Sequence, residues 1–341
     1  RLISIVESFL NLPVLDPKHP VLRQEYAIWT PPMDEMIRTI GDWIDQRLTG
    51  GYIYGPSRFG KSRCVKWFIR SVLEERFGTK IPMVIWIRPN SRMYEGEFWN
   101  FLLGASNFRF YSPLKPKKKL AARFLFKQQL ITLARKARQN YVVLILDEAH
   151  DVTFEEWQWL LGIQNELDFE GYRFSIFQIG SHQIDFQPDY LARTGNTHIA
   201  ARFFAADARF SGMRSHEELG FVLRGYDLDS NWPPGTNTSY LKYFAPNDFA
   251  KKRRLEDSAG DLWKAFKNLA PLEVRAGIKA RPLEIPMLHV ALTVEHALQR
   301  LAKGEDWESV IGYESLLEMI AKTGFTDHIR KISMPSKSEW K

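Results

Sequence analysis

Residues 55–62 read Gly55-Pro56-Ser57-Arg58-Phe59-Gly60-Lys61-Ser62, and this spacing constrains the chain more than any other stretch. A glycine, four variable residues and Gly-Lys-Ser is the pattern of a loop whose backbone N–H groups wrap phosphates. Glycine permits the conformation and the close approach. The chemistry also needs a strand before the loop and a helix after it, so that the helix N-terminus adds its partial positive charge. The flanks comply. Residues 51–54 form a short apolar segment, and residues 61–77 carry helical periodicity closed by Gly78. Lys61 is therefore expected to reach the β- and γ-phosphates of a nucleotide and Ser62 to ligate Mg²⁺, with Arg63 following in the first helical turn.

A second half of the site is legible downstream. Residues 142–146 are a continuous β-branched and aliphatic run, the signature of a parallel strand buried on both faces. Asp147 at its end is placed to hold the Mg²⁺ shell, and Glu148 beside it to polarise an attacking water as general base. Asp147-Glu148-Ala149-His150 also spells a helicase box, but the chain has no Ser-Ala-Thr or Gln-Arg-x-Gly-Arg segment and no second α/β domain. The strand 173–179 ends at Gly180-Ser181-His182, where Ser181 or His182 can orient the hydrolytic water. Arg202, with Arg193 and Arg209 as rivals, is the candidate arginine finger for a neighbour's γ-phosphate. Arg281, ahead of a long helical pattern, is a further nucleotide-sensing candidate.

Strands alternate with helices through residue 227, which predicts an α/β class with a parallel sheet. The expected organisation is an N-terminal extension over 1–30, a nucleotide-binding domain over 31–227, a Pro/Gly/Asn-rich linker over 228–255 and an α-helical domain over 256–341. Tyr26 and Ile28 are positional guesses for the base pocket, and Trp86, Trp99 and Trp157 read as core. At 341 residues and 45% hydrophobic content the chain can build such cores without staples. The single cysteine, Cys64, excludes an internal disulfide and a cysteine zinc site and points to a reducing, cytoplasmic setting. No apolar run approaches a membrane span, no signal peptide is visible, and a start at Arg1 suggests a trimmed terminus.

Charge is concentrated. Between Phe98 and Leu146 there is no Asp or Glu, and ten Lys and Arg stand there, so that the rest of a chain of net charge +7 is net negative. Such a block suits a polyanion. Lys115, Lys117, Lys118, Lys119 and Arg123 are the expected phosphate contacts to double-stranded DNA, sequence-independent and salt-dependent. Lys251-Lys252-Arg253-Arg254 reads as a solvated linker, with a second DNA or partner contact as the alternative.

Together these motifs resemble an AAA+ ATPase: a P-loop parallel-sheet core with a C-terminal α-helical lid. More narrowly, the chain resembles the TnsC/TniB family of transposon-encoded regulators, which are related to MuB. The resemblance rests on its compact size, the Asp147-Glu148-Ala149-His150 strand end, Ile179-Gly180-Ser181, and Arg202-Phe203 before a short strand. It departs from common loops in the bulky Arg58 and Phe59. It implies ATP and Mg²⁺ as cofactors and self-assembly as a ring or helical filament on DNA. It also implies recruitment of transposase subunits and a TniQ-type targeting protein, and no membrane. A helicase loader or initiator, and a nucleotide-switched interaction module with little turnover, are the competing readings.

Overall fold

The computed structural model describes residues 15–272 and 282–333, and it divides into two compact units. The α/β unit comprises residues 33–57 and 61–210, and the helical unit comprises the described residues before 33, residues 58–60 and the described residues from 211 onward.

Five parallel strands build the α/β unit: β1 (Gly50–Tyr54), β2 (Met83–Ile87), β3 (Tyr141–Asp147), β4 (Arg173–Gly180) and β5 (Asp207–Arg209), in the order β2-β3-β4-β1-β5. All seven residues of β3 are buried, as expected for a central parallel strand with helices on both faces. The register sets Asp147 of β3 against Ile87 and Ile179, and Tyr54 of β1 against Gly180 and Arg209. The C-terminal ends of β1, β3 and β4 therefore lie side by side, where such sheets hold ligands. Trp86, Trp99 and Trp157 are buried in the core under this sheet. Helices Glu95–Ala105 and Lys119–Lys136 pack against one another on the side of β2 and β3.

The boundary expected at 227 lies at 210/211. Helix His216–Arg224 buries Leu219, Val222 and Leu223 among helical-unit residues such as Leu262 and Phe266, so it belongs to that core. The expected linker over 228–255 is also folded. Helices Tyr240–Phe244 and Pro246–Ala250 form there, and Tyr240, Leu241 and Phe244 are buried. The turn-rich run before them hid an apolar face only five residues long. Residues 15–30, expected as an extension, seal the same core: Val21, Tyr26 and Ile28 are buried in it. Within the cluster at 251–254, Arg253 pairs with Asp248 and Glu308, and Arg254 lies 4.0 Å over the Phe249 ring. Those two are packed against the helices, while Lys251 and Lys252 stay exposed. Among the described residues no helix is long and apolar enough to cross a membrane.

His19 shows how tightly this segment packs. Its buried ring stacks on Tyr243 at 4.4 Å and meets Trp232, Tyr240 and Phe244 edge-on. Its Nδ1 accepts the Val21 amide at 3.1 Å. Burial pushes its pKa down to about 4, against the raising effect of Asp16. The folded state thus disfavours a proton that the unfolded chain takes up near pH 6.5. The stabilisation from neutral His19 is fully present above that pH and is lost as pH falls towards 4, by up to about 3 kcal/mol. His19→Asn keeps an N-cap acceptor but cannot titrate. In denaturant melts followed by tryptophan fluorescence, the stability advantage of the wild type over this variant should shrink between pH 7 and pH 4.5.

Candidate functional site

The loop after β1 adopts a conformation that its sequence resists in one place. Gly60 has φ +116° and Arg58 has φ +68°, a left-handed value that a bulky side chain rarely adopts. Gly55 is required by contact: a Cβ there would come within 2.5 Å of the Phe210 carbonyl oxygen. The tip, Arg58–Gly60, groups with the helical unit, where the Leu288 amide donates to the Arg58 carbonyl at 3.2 Å and Phe59 is buried. The departure noted at Arg58 and Phe59 is thus a built feature. Pro56 is buried, whereas Ser57, Ser62 and Arg63 are exposed around the loop.

Lys61 opens helix Lys61–Trp67 and is buried. Its Nζ donates to the carbonyls of Gly55 at 2.9 Å and Pro56 at 2.7 Å, folding the loop around the ammonium. Burial draws its pKa down to about 8, with the charges of Asp147 and Glu148 acting against the shift. Asp147 is buried as well, and burial raises its pKa. The Ser62 hydroxyl and the Glu148 amide oppose that rise by hydrogen-bonding the carboxylate. Its Oδ2 is buried without a hydrogen-bond partner. A hydroxyl and a carboxylate with an orphaned oxygen form a hard-oxygen pair suited to Mg²⁺. Ser62 and Asp147 therefore fit the ion that their sequence positions suggest.

Glu148 has φ +57°, so the chain turns sharply as soon as β3 ends and leaves its side chain half-exposed. On the neighbouring strand Ser181 caps a short 3-10 turn, accepting from the Gln183 amide, and His182 lies against Tyr54. The structure thus brings Lys61, Ser62, Asp147, Glu148, Ser181 and His182 to one end of the sheet. Two groups that sequence reasoning passed over support this end. Arg88, directly after β2, donates its amide to the Asp147 carbonyl at 3.0 Å, and its guanidinium makes two 2.9 Å bonds to buried Glu156. The signal was an arginine immediately behind an apolar strand. The other group is His150, quoted above only as the last letter of the Asp147-Glu148-Ala149-His150 motif and given no role of its own; its ring sits between Glu148 and Ser181.

Arg202 lies elsewhere. Its carbonyl accepts from Thr49 beside Gly50, at the start of β1, and its guanidinium pairs with Asp168 at 3.2 Å. The phosphate loop follows the other end of that strand, about 13 Å away at a strand's rise per residue. Arg202 thus cannot serve its own loop. Arg193 is exposed at a helix end, and Arg209 ends β5 opposite Tyr54. Arg281 lies outside the described residues. Tyr26 and Ile28, the guesses for the base pocket, are packed in the helical unit. The Tyr26 hydroxyl is committed to Tyr226 and Glu295, and Ile28 packs where a Cβ on Gly225 would fall.

The basic block divides. Lys115 and Lys118 are exposed and Lys117 is half-buried. The Lys117 backbone is clamped by Asn100, whose amide group accepts from the Lys117 N–H and donates to its carbonyl, both at 2.8 Å. Lys119 pairs with Glu95, and Arg123 bonds Glu166 while lying over the Trp99 ring. Arg123 was expected to face a polyanion, but a glutamate from helix Phe154–Phe169 already neutralises it.

Residues 46–187 match the family model of an AAA domain. The Aeropyrum pernix ORC2 protein, solved as ADPNP–ADP complexes, is similar to this chain at 14% identity and a TM-score of 0.51, over 85% of this chain and 67% of that one. The Aeropyrum pernix ORC1 protein in complex with DNA is similar at 12% identity and a TM-score of 0.51, over 89% and 68%. The fold is an AAA+ fold. No curated protein matches the chain in sequence.

The buried, half-satisfied Asp147 yields a test. Asp147→Asn removes the burial cost of a charge, so the ligand-free variant should melt at or above the wild-type temperature. Mg²⁺ with a nucleoside triphosphate should raise the wild-type melting temperature by several degrees and the variant's by much less. Thermal shift measurements with and without EDTA check both parts.

Proposed function

We propose that this chain is an ATPase that binds double-stranded DNA, assembles on it as a ring or filament, and regulates transposition by marking the target and recruiting transposase and a TniQ-type protein. The nucleotide part rests on one observation: Ser62 bonds a buried Asp147 whose second oxygen has no partner, beside the buried ammonium of Lys61. In this reading Lys61 exchanges the Gly55 and Pro56 carbonyls for β- and γ-phosphate oxygens. Glu148 accepts a proton from the attacking water, and Ser181 or His182 orients that water. Mg²⁺ held by Ser62 and Asp147 would supply charge neutralisation on the phosphates. Arg202, remote from its own loop, would stabilise charge in a neighbour's site, which favours self-assembly.

The DNA part rests on the lysines of the loop before helix Lys119–Lys136, which lack acidic neighbours in sequence. A second reading, an initiator-type ATPase, is favoured by the fold likeness to a protein solved with DNA. Binding that ignores DNA sequence supports the regulator, and binding to a defined sequence supports the initiator.

Two outcomes are expected. Glu148→Gln should lower ATP turnover by about 10²- to 10⁴-fold while leaving nucleotide affinity within a few-fold. An unchanged low rate in both proteins would favour the switch module. Replacing Lys115, Lys117 and Lys118 together by Ala should make the plot of log affinity for duplex DNA against log salt shallower by about 2 to 3. Electron microscopy with duplex DNA and a non-hydrolysable ATP analogue should show rings or filaments; monomers under all conditions overturn the assembly.

A further inference from the structure

His150 occupies a position that the proposed chemistry does not yet use. Its Nδ1 accepts the backbone N–H of Ser181, at the tip of β4, at 3.4 Å. The same Nδ1 lies 3.5 Å from a carboxylate oxygen of Glu148. Nε2 is 3.8 Å from Asp151, and the His150 carbonyl accepts from Gln187 at 3.2 Å, so the residue is anchored from a second side. The strand tip is shaped for this ring: a Cβ on Gly180 would come within 3.2 Å of the His150 amide nitrogen and 3.4 Å of Nδ1. The imidazole is largely covered, whereas Glu148 is 46% exposed and has room to turn.

One ring nitrogen cannot serve both neighbours at once. A ring that accepts the Ser181 N–H carries its proton on Nε2 and presents only a lone pair to Glu148, which a carboxylate does not bind. A ring with its proton on Nδ1 holds Glu148 and releases the Ser181 amide. We propose that His150 is a positioning residue for Glu148, its Nδ1 shared in alternation between the tip of β4 and the carboxylate. A shift of the β4 tip thereby frees or restrains the group that activates water. The inference deepens the ATPase reading and rests on it for its kinetic consequence.

The backbone of Ser181 supplies an incisive variant. Its φ of −75° is already that of proline, so Ser181→Pro deletes the N–H without forcing the chain. Ser181→Ala loses the capping hydroxyl but keeps the N–H and serves as the control. His150→Ala should lower kcat for ATP about tenfold with KM within about twofold, and His150→Asn, which places a polar atom near the Nδ1 position, should restore most of it. Because Ser181 is itself a candidate for orienting the attacking water, Ser181→Pro and Ser181→Ala are compared in the ring spectrum and not in kcat. A readout independent of turnover is the ring nitrogen spectrum of the nucleotide-free protein. The wild type should show Nδ1 as the acceptor nitrogen, and Ser181→Pro should shift it while Ser181→Ala leaves it.

Equal kcat in His150→Ala and wild type, or identical ring spectra in Ser181→Pro and Ser181→Ala, overturns the inference. If the wild type hydrolyses no ATP, the proposed function fails instead, and the ring spectra still decide whether Nδ1 is shared.

Discussion

A carboxylate buried at the end of a fully covered strand is the constraint around which the α/β unit is arranged. Removing Asp147 from water is unfavourable, and each neighbour answers part of that cost: the Ser62 hydroxyl, the Glu148 amide and the charge of Lys61. Those contacts tie the end of β3 to the loop after β1, two strands away in the sheet. Arg88 ties the same strand end to β2 through its amide, and its own charge is matched by Glu156. Breaking one side of such a buried pair leaves an uncompensated charge, so the upper ends of three strands are held as one set. Only one oxygen of Asp147 remains unanswered within the protein.

The helical unit is built on a different principle. Its core gathers side chains from the N-terminal segment, from 211–272 and from the last helices, and few are consecutive for long. Some of the polar groups inside it are matched within the unit. Glu295 accepts from Tyr26 and Gln24, and Asp227 accepts from the amides of Leu255 and Glu256. Burial nevertheless pushes the Asp227 carboxyl up to about 6. This core therefore carries titrating groups of opposite sense, His19 and Asp227.

The parts of the site legible in the sequence were those whose chemistry demands a fixed local spacing. Gly55 through Ser62 must be contiguous to wrap a phosphate, and Asp147 must follow a buried run, so both could be read from residue types alone. The parallel sheet needed only the alternation of apolar runs with helices, whereas the order β2-β3-β4-β1-β5 was not legible. Three-dimensional proximity was invisible. Nothing in the sequence says that Glu166 reaches Arg123 across 43 positions, or that Tyr26 closes on Glu295. The segment 228–255 misled because Pro, Gly and Asn mark turns whether or not the next five residues are buried. His150 was passed over because it was read as a letter of a four-residue motif, and its ring's neighbours, Glu148 and Ser181, are set by the fold.

Asn100 gives the lysine loop a property that charge alone would not. The loop between helices Glu95–Ala105 and Lys119–Lys136 is pinned at Lys117 by a pair of hydrogen bonds resembling a base pair in their reciprocity. Leu114, 90% exposed, and its basic neighbours are thus displayed on a main chain already in its final shape. In the proposed DNA contact, docking would require freezing side chains but little backbone, and ordering each backbone residue otherwise costs about 1–2 kcal/mol. The nearly buried Asn100 amide would set the entropy of that proposed encounter.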